Sequence, residues 1–248
     1  MFSRLILMII TIGCFIKPIT AESKTSADSL RISPWKQNHY IELSAGVGSH
    51  LVISSIGWHK MFDVAWKKRF KIGAGIRIGM ANSFDRVLTT APIDRLPSNA
   101  FDTLFIPHHS TYSVNLSLHA DLSLTTWMDV GFGVDLVGIS FGESASARYQ
   151  ASSFSENGTQ QTVKPEMLNL LAFSHHNKGS LNNSFYLRFW PGMNLFVKTA
   201  FTLYHSAEET AIPLQYGSRY TGYTYMGSIS VGWTPFRSIM KKPEKSNP

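Results

Sequence analysis

The residues best equipped for chemistry sit late in the chain, where His205 and Ser206 stand side by side and Glu208 and Glu209 follow. A hydroxyl nucleophile, an imidazole base and an orienting carboxylate are the parts of a hydrolytic site. Neighbours on an extended strand, however, point to opposite faces. His205 and Ser206 can cooperate only if a bulge turns one of them round. Two further pairs, His108-His109 and His175-His176, fall in stretches without regular alternation. Adjacent imidazoles diverge on an extended chain, so neither pair makes a shared metal site. The sequence holds no Walker loop, dinucleotide fingerprint, metalloprotease motif or nucleophile elbow. No cofactor and no metal are expected, and the expected role is not catalytic.

The other chemistry-bearing residues are single charges set inside alternating segments. Between Tyr40 and Phe236 apolar and small polar residues alternate with period two, the mark of strands with one apolar face. In 112–124 the set Tyr112, Val114, Leu116, Leu118, Ala120, Leu122 and Leu124 opposes Ser113, Asn115, Ser117, His119, Asp121 and Ser123. Eight such strands are expected, at 40–48, 55–66, 70–83, 111–124, 127–141, 183–190, 194–206 and 221–236. Most are longer than the usual soluble strand of about 5–6 residues. In 127–141 the phase slips, which a bulge near Leu136 explains. Lys60 falls on the apolar side with Trp58, Phe62 and Val64; the register bends there or the side chain snorkels.

The connections alternate in length. Lys67-Lys68-Arg69, Thr125-Thr126 and Pro191-Gly192-Met193 are turn-sized, whereas 84–110, 142–182 and 207–220 read as long loops. All tight turns therefore collect at one end. The polar face is mostly Gly, Ser, Thr and Asn, with opposite charges at Glu42, Asp63, Arg77, His119, Asp121, Asp129, Arg188 and Lys198. A water-facing surface would carry about 25–35% charged residues. A narrow interior wants small side chains and paired charges instead. The expectation is an apolar face outward, with those eight residues forming an inward polar network.

Aromatics mark the turn end: Trp66 and Phe70 flank the first tight turn, Trp127 follows the second, Trp190 precedes the third, and Trp233 with Phe236 closes the last strand. Amphipathic rings favour a lipid–water interface, so these six are expected to form an interfacial girdle. A soluble sheet whose tryptophans mark its core edge is the competing reading.

Charged residues make up 16% of the 248-residue chain, against about 25% in an ordinary soluble domain. Much of the formal charge of +7 lies at the ends, with Arg4 and Lys17 at the start and Arg237, Lys241, Lys242 and Lys245 in the tail. Basic patches interleaved with aromatics are absent, so no nucleic-acid partner is expected. Met1 to Ala21 has a basic start, an apolar run too short to span a bilayer and small residues at a cleavage point, and reads as an export signal. Residues 22–38 read as a flexible arm, 39–236 as the barrel, and 237–248 as a disordered basic tail. The sole cysteine, Cys14, lies in the leader, so no disulfide framework is available.

With its leader, dyad strands, loop asymmetry and aromatic-rich closing strand, the chain resembles the small eight-stranded outer-membrane β-barrels of Gram-negative bacteria, of the OmpA/OmpX type. The resemblance implies an all-β fold: a single antiparallel eight-stranded transmembrane β-barrel with short periplasmic turns and long outer loops, located in the cell outer membrane after the signal is removed. In that group the closing strand commonly ends the chain, whereas here Phe236 is followed by a tail. Assembly by the same route then needs an internal signal. The lipid A deacylases of the outer membrane are barrels of similar look with a His-x-Ser pair. His205-Ser206 departs from that spacing, and acyl hydrolysis stays an alternative, as does a soluble lipocalin-like periplasmic ligand binder.

The expected role is structural or surface-interacting, carried by the outer loops. Phe101, Leu104, Phe105 and Ile106, and Met167, Leu168, Leu170, Leu171 and Phe173, are more apolar than solvated loops require. Such clusters mark contacts with a partner protein or with outer-membrane lipids, or else fold over the barrel mouth as a lid.

Overall fold

The computed structural model describes residues 39–65, 69–92, 102–151, 158–172, 176–192 and 194–234. The stretches read as leader, arm and tail, together with Trp66, Phe101, Phe173 and Phe236, lie outside the described residues. Among the described residues there are eleven strands and no α-helix. They are β1 (His39–Gly48), β2 (Leu51–Ala65), β3 (Phe70–Thr90), β4 (Thr103–Ser123), β5 (Met128–Gly142), β6 (Ala145–Gln150), β7 (Gln160–Pro165), β8 (Leu168–Leu170), β9 (Leu181–Phe189), β10 (Leu195–Leu214) and β11 (Gly217–Trp233).

Eight of them pair antiparallel in a closed ring, β1-β2-β3-β4-β5-β9-β10-β11, and β11 returns to β1 from Ile41↔Trp233 to Gly48↔Met226. The period-two pattern sets which side chains enter. On β11, Thr224, Met226, Ser230 and Gly232 are buried, while Tyr223, Tyr225, Ile229, Val231 and Trp233 are exposed. The phase slip in β5 is a bulge: pairing passes from Leu116↔Val137 to Ser117↔Asp135, which leaves Leu136 out. Its carbonyl accepts instead from the Leu171 N–H, at 2.7 Å. Lys60 keeps register opposite Ala74 and sits over the Phe62 ring, 5.1 Å from its centroid. The register holds at Lys60 and shifts further along β2, between Asp63 and Ala65.

At the end away from the tight turns the chain departs from the loops expected there. Much of 84–110 and 207–220 continues the wall: β3 runs on to Thr90, β4 begins at Thr103, and β10 and β11 meet in a hairpin at Gln215-Tyr216. The β1–β2 hairpin stops short, so β3 meets β11 directly at Thr90↔Tyr220 and Thr89↔Thr221. β6 pairs with β4, β7 with β6, and β7 with β10. These contacts close a second, smaller ring, β3-β4-β6-β7-β10-β11, on top of the first. Its interior is mostly apolar, formed by Leu88, Leu104, Ile106, Ala147, Tyr149, Val163 and Tyr220, with Asp102 buried beside it and accepting from the Tyr149 hydroxyl. Leu104 and Ile106 therefore face a packed core and not a partner.

Leu104 is fully buried in this upper core. Leu104→Ala should lower the unfolding free energy by about 2–5 kcal/mol, through lost burial and an unfilled cavity. The denaturant midpoint in detergent, with protease sensitivity of the 142–165 segment, checks it.

Candidate functional site

The interior of the lower ring is where the chain's buried polar chemistry concentrates. Three layers can be distinguished from the turn end upward.

Arg188 fills the first. Its guanidinium bonds Asp121, lies 3.7 Å from Asp129, and is walled by the rings of Tyr40, at 4.7 Å to the centroid, and Phe196, at 5.0 Å. The Tyr40 hydroxyl donates to Asp121 at 3.1 Å, Tyr186 donates to the same carboxylate, and Trp190 Nε1 donates to Asp129 at 2.7 Å. Glycines make the room. A Cβ on Gly131 would stand 2.4 Å from the Tyr186 ring, and one on Gly232 would stand 2.0 Å from Phe196. The result is a solid plug of paired charge and aromatic surface.

The second layer holds two ion pairs, Lys198 with Glu42 and Arg77 with Asp135. Asp135 also accepts from Asn115 Nδ2 at 2.8 Å and from the Asn182 N–H at 3.0 Å. The His59 and His119 rings meet edge to face with centroids 4.3 Å apart, and His119 Nε2 lies 3.0 Å from Ser117 Oγ. Beside them lies a cavity of about 50 Å³ lined by Ser44, Ser55, Ser184, Thr202, Ser228 and Ser230 among others. That volume takes on the order of three or four waters. No cluster of three or more metal-ligating side chains occurs among the described residues.

The third layer sits where the two rings join. Arg86 bonds Ser206 Oγ, and His109 Nε2 lies 3.4 Å from Glu208 Oε2. Burial holds the His109 imidazole down at about 4 and pushes the Glu208 carboxyl up to about 8. The sequence marks Ser206 and Glu208 as parts of a hydrolytic site and His109 as one of a histidine pair, but nothing in it brings them to Arg86, because Arg86 and His109 fall in a stretch that reads as loop.

The sequence-derived residues are distributed as follows. Glu42, Arg77, His119, Asp121, Asp129, Arg188 and Lys198 lie inside the ring in the contacts just described, while Asp63 stands half-buried opposite Lys71 near the turn end. Of the aromatic set, Trp127 and Trp233 are exposed and Phe70 is half-buried on the outward side. Trp190 is not in a girdle: it alternates in phase with Tyr186 and Arg188 and is buried against Phe196. Phe189 takes the outward position and stacks on Trp127. Phe105 is half-buried beneath Arg148, Leu170 is exposed and Leu171 half-buried.

His205 and Ser206 are divided by the wall. The β10–β11 ladder is unbroken from Leu195 to Glu209, so no bulge turns either residue. Ser206 points inward to Arg86, and His205 points the other way, with Nδ1 3.0 Å from the Gly179 carbonyl. Glu208 is inward, and Glu209 shares the outward phase of His205. Nucleophile and base do not converge.

No family model matches the chain, and no curated protein matches it. Among solved structures it is similar to the CymD monoaromatic hydrocarbon channel, at 10% identity and a TM-score of 0.23, covering 83% of this chain and 92% of that one. A FadL homologue of Pseudomonas aeruginosa matches at 10% identity and 0.23, covering 74% and 68%. The toluene transporter TbuX of Ralstonia pickettii gives 10% and 0.20, with the same coverage. Scores this low leave the chain's own geometry as the ground for its function.

Removing Arg188 would leave Asp121 and Asp129 buried without their cation. Arg188→Ala should cost about 3–5 kcal/mol, and adding Asp121→Asn should recover part of that loss. Urea midpoints of the two variants in the same detergent test the order.

Proposed function

We propose that the chain is an integral outer-membrane β-barrel with a filled polar lumen, whose role is structural or surface-interacting. The observation that carries this reading is the outward face of the eight-strand ring. It presents Ile41, Leu43, Ile56, Ile78, Phe132, Phe185, Phe201, Tyr225 and Ile229 to the surroundings, Leu43 and Ile229 each at 61% exposure. Over β1, β2, β3 as far as Phe84, β4 from Ser110, β5, β9, β10 as far as Ser206 and β11 from Gly222, the one outward charge among the described residues is Lys60. A soluble protein rarely exposes more than a few hundred Å² of contiguous apolar surface, and this belt runs round the whole ring. Lipid satisfies it, and a closed ring leaves no unpaired edge in hydrocarbon. Trp127 and Trp233, exposed at the turn end, suit an interface. A lipocalin-like soluble binder needs the reverse arrangement, apolar inside and polar outside.

The interior supports a closed body. The Arg188 plug, the ion pairs of the second layer and the packed upper ring occupy much of the described interior, with the small cavity beside the second-layer pairs. The surface role falls to the far end. There Met167, exposed at 70%, stands with Leu168 and Leu170 beside Phe141 of β5, an apolar patch continuous with the belt. Outer-membrane lipids cover the belt, and the patch offers a contact for a protein partner or for the lipid leaflet.

Outer-membrane fractionation and heat-modifiable migration on gels test the reading; recovery as a freely soluble protein would overturn it. Planar bilayers should show no large steady current. Ile229→Arg on the belt should destabilise the barrel in lipid by about 2–4 kcal/mol if it lies near the midplane. Replacing Met167, Leu168 and Leu170 by Ser should leave heat-modifiable migration intact while changing surface labelling or partner capture.

A further inference from the structure

Between β3 and β11 the wall of the ring has a stretch where two strands face each other without a ladder. Below it the β1–β2 hairpin fills the space between β3 and β11, ending at Gly48↔Leu51. Above it β3 and β11 pair directly at Thr89↔Thr221 and Thr90↔Tyr220. Between these limits, 85–88 of β3 and 222–225 of β11 form no ladder pair with one another. Few hydrogen bonds close this seam. The Phe84 N–H donates to the His50 carbonyl at 2.9 Å at its base, and Thr89 Oγ1 donates to the Thr221 carbonyl at 3.4 Å at its top. In the middle Arg86 Nη2 donates to the Gly222 carbonyl at 3.2 Å, while its Nη1 bonds Ser206 of β10. Asp85 beside it holds a left-handed φ of 48°, where β3 changes phase.

Glu208 lies on the same inner layer, two residues beyond Ser206 on β10. Among the described residues no guanidinium or ammonium is within ion-pair distance of its carboxyl. Its contact is the His109 imidazole of β4 at 3.4 Å, and neither Glu208 Oε2 nor His109 Nε2 has a hydrogen-bond partner. Tyr204, four residues back on β10, faces both Glu208 and Arg86, with Arg86 5.8 Å over its ring and its hydroxyl held above its ordinary value by burial; the ladder partners of Glu208 are Tyr220 on β11 and Pro165 on β7. Arg86 of β3 is the cation that acts on Glu208, and His108 and Arg86 act on His109. The level lies above the belt, because the outward positions here include Asp85, Lys164, Glu209 and Arg219.

We propose that Glu208 and Arg86 form a proton-controlled latch on the β3–β11 seam. While Glu208 carries its proton it does not compete for the guanidinium, and Arg86 ties β3 to Ser206 and Gly222. When the proton leaves, the new carboxylate is a stronger acceptor than a hydroxyl or a peptide carbonyl. Arg86 then turns from the seam to Glu208, and the seam loses its central tie. The sign follows from burial. The folded carboxyl is held above its ordinary value, so the closed seam is stable in acid and weakens as pH rises through about 8. His109 stays neutral through this range, its imidazole being held near 4.

Spin labels on Val87→Cys and Tyr223→Cys report the gap. These positions follow the Thr89↔Thr221 register outward along the two strands. Cys14→Ser removes the remaining thiol. The labelled protein, folded in detergent, is titrated from about pH 6 to about pH 10, bracketing the carboxyl's value of about 8. Dipolar broadening should fall with a one-proton midpoint near 8, reversibly, while heat-modifiable migration persists at both ends. Glu208→Gln should hold the low-pH spectrum throughout. Constant broadening across the range would overturn the latch, as would an unchanged midpoint in Glu208→Gln. If that variant does not assemble, the titration of the parent protein decides alone.

Discussion

Everything in this molecule follows from the pairing of its first strand with its last. Once β11 lies beside β1 over Ile41–Gly48, the wall of the lower ring has no open edge. Closure leaves side chains only two destinations, and the period of two fixes which residues take which. The inside is too narrow for water to solvate ions well, so each charge that alternation sends inward must find a partner there. That demand accounts for Lys198 on Glu42, Arg77 on Asp135 and Arg188 between Asp121 and Asp129. It also accounts for the glycines, which yield their volume to Tyr186, Phe196 and His59.

The upper ring obeys a different rule. When β1 and β2 end, six strands enclose less space, and the interior changes from one rich in ion pairs to a mostly apolar one. The changeover is visible on β3 and β4, where Asp85 and the Pro107-His108 step shift the phase so that Leu88, Leu104 and Ile106 turn inward. Arg86, His109, Ser206 and Glu208 occupy the boundary between the two regimes. Glu166 fastens the same region from outside: it accepts from Arg219 at 2.9 Å and from the Gly179 N–H at 3.1 Å, holding the chain that leads into β9.

The lower ring was legible because one rule governs it throughout. Tyr112 to Leu124 alternates without fault, and the one slip in β5 sits at a single bulged residue, Leu136. The inward charges were readable for the same reason. The upper ring was not legible, because its apolar face turns inward while that of the lower ring turns outward. Leu104 and Ile106 then look like exposed loop residues when they are core. Short strands such as Leu168–Leu170 carry too few residues to show a period at all. Trp190 was misplaced by type: a tryptophan beside a turn suggests an interface, but its phase with Arg188 sends it inside to Asp129. His205 and Ser206 were separated correctly by the same phase argument that placed the strands.

The central claim is that the odd-numbered residues from Tyr223 to Trp233 of the closing strand face lipid and the even-numbered ones between them face the interior. A fluorophore placed singly at each position from 223 to 233, in vesicles of brominated phospholipid, measures this directly. Quenching should alternate, strong at Tyr225, Ile229, Val231 and the outward Gly227, weak at Met226, Ser228, Ser230 and Gly232. Uniformly weak quenching, or alternation in the opposite phase, would contradict the account.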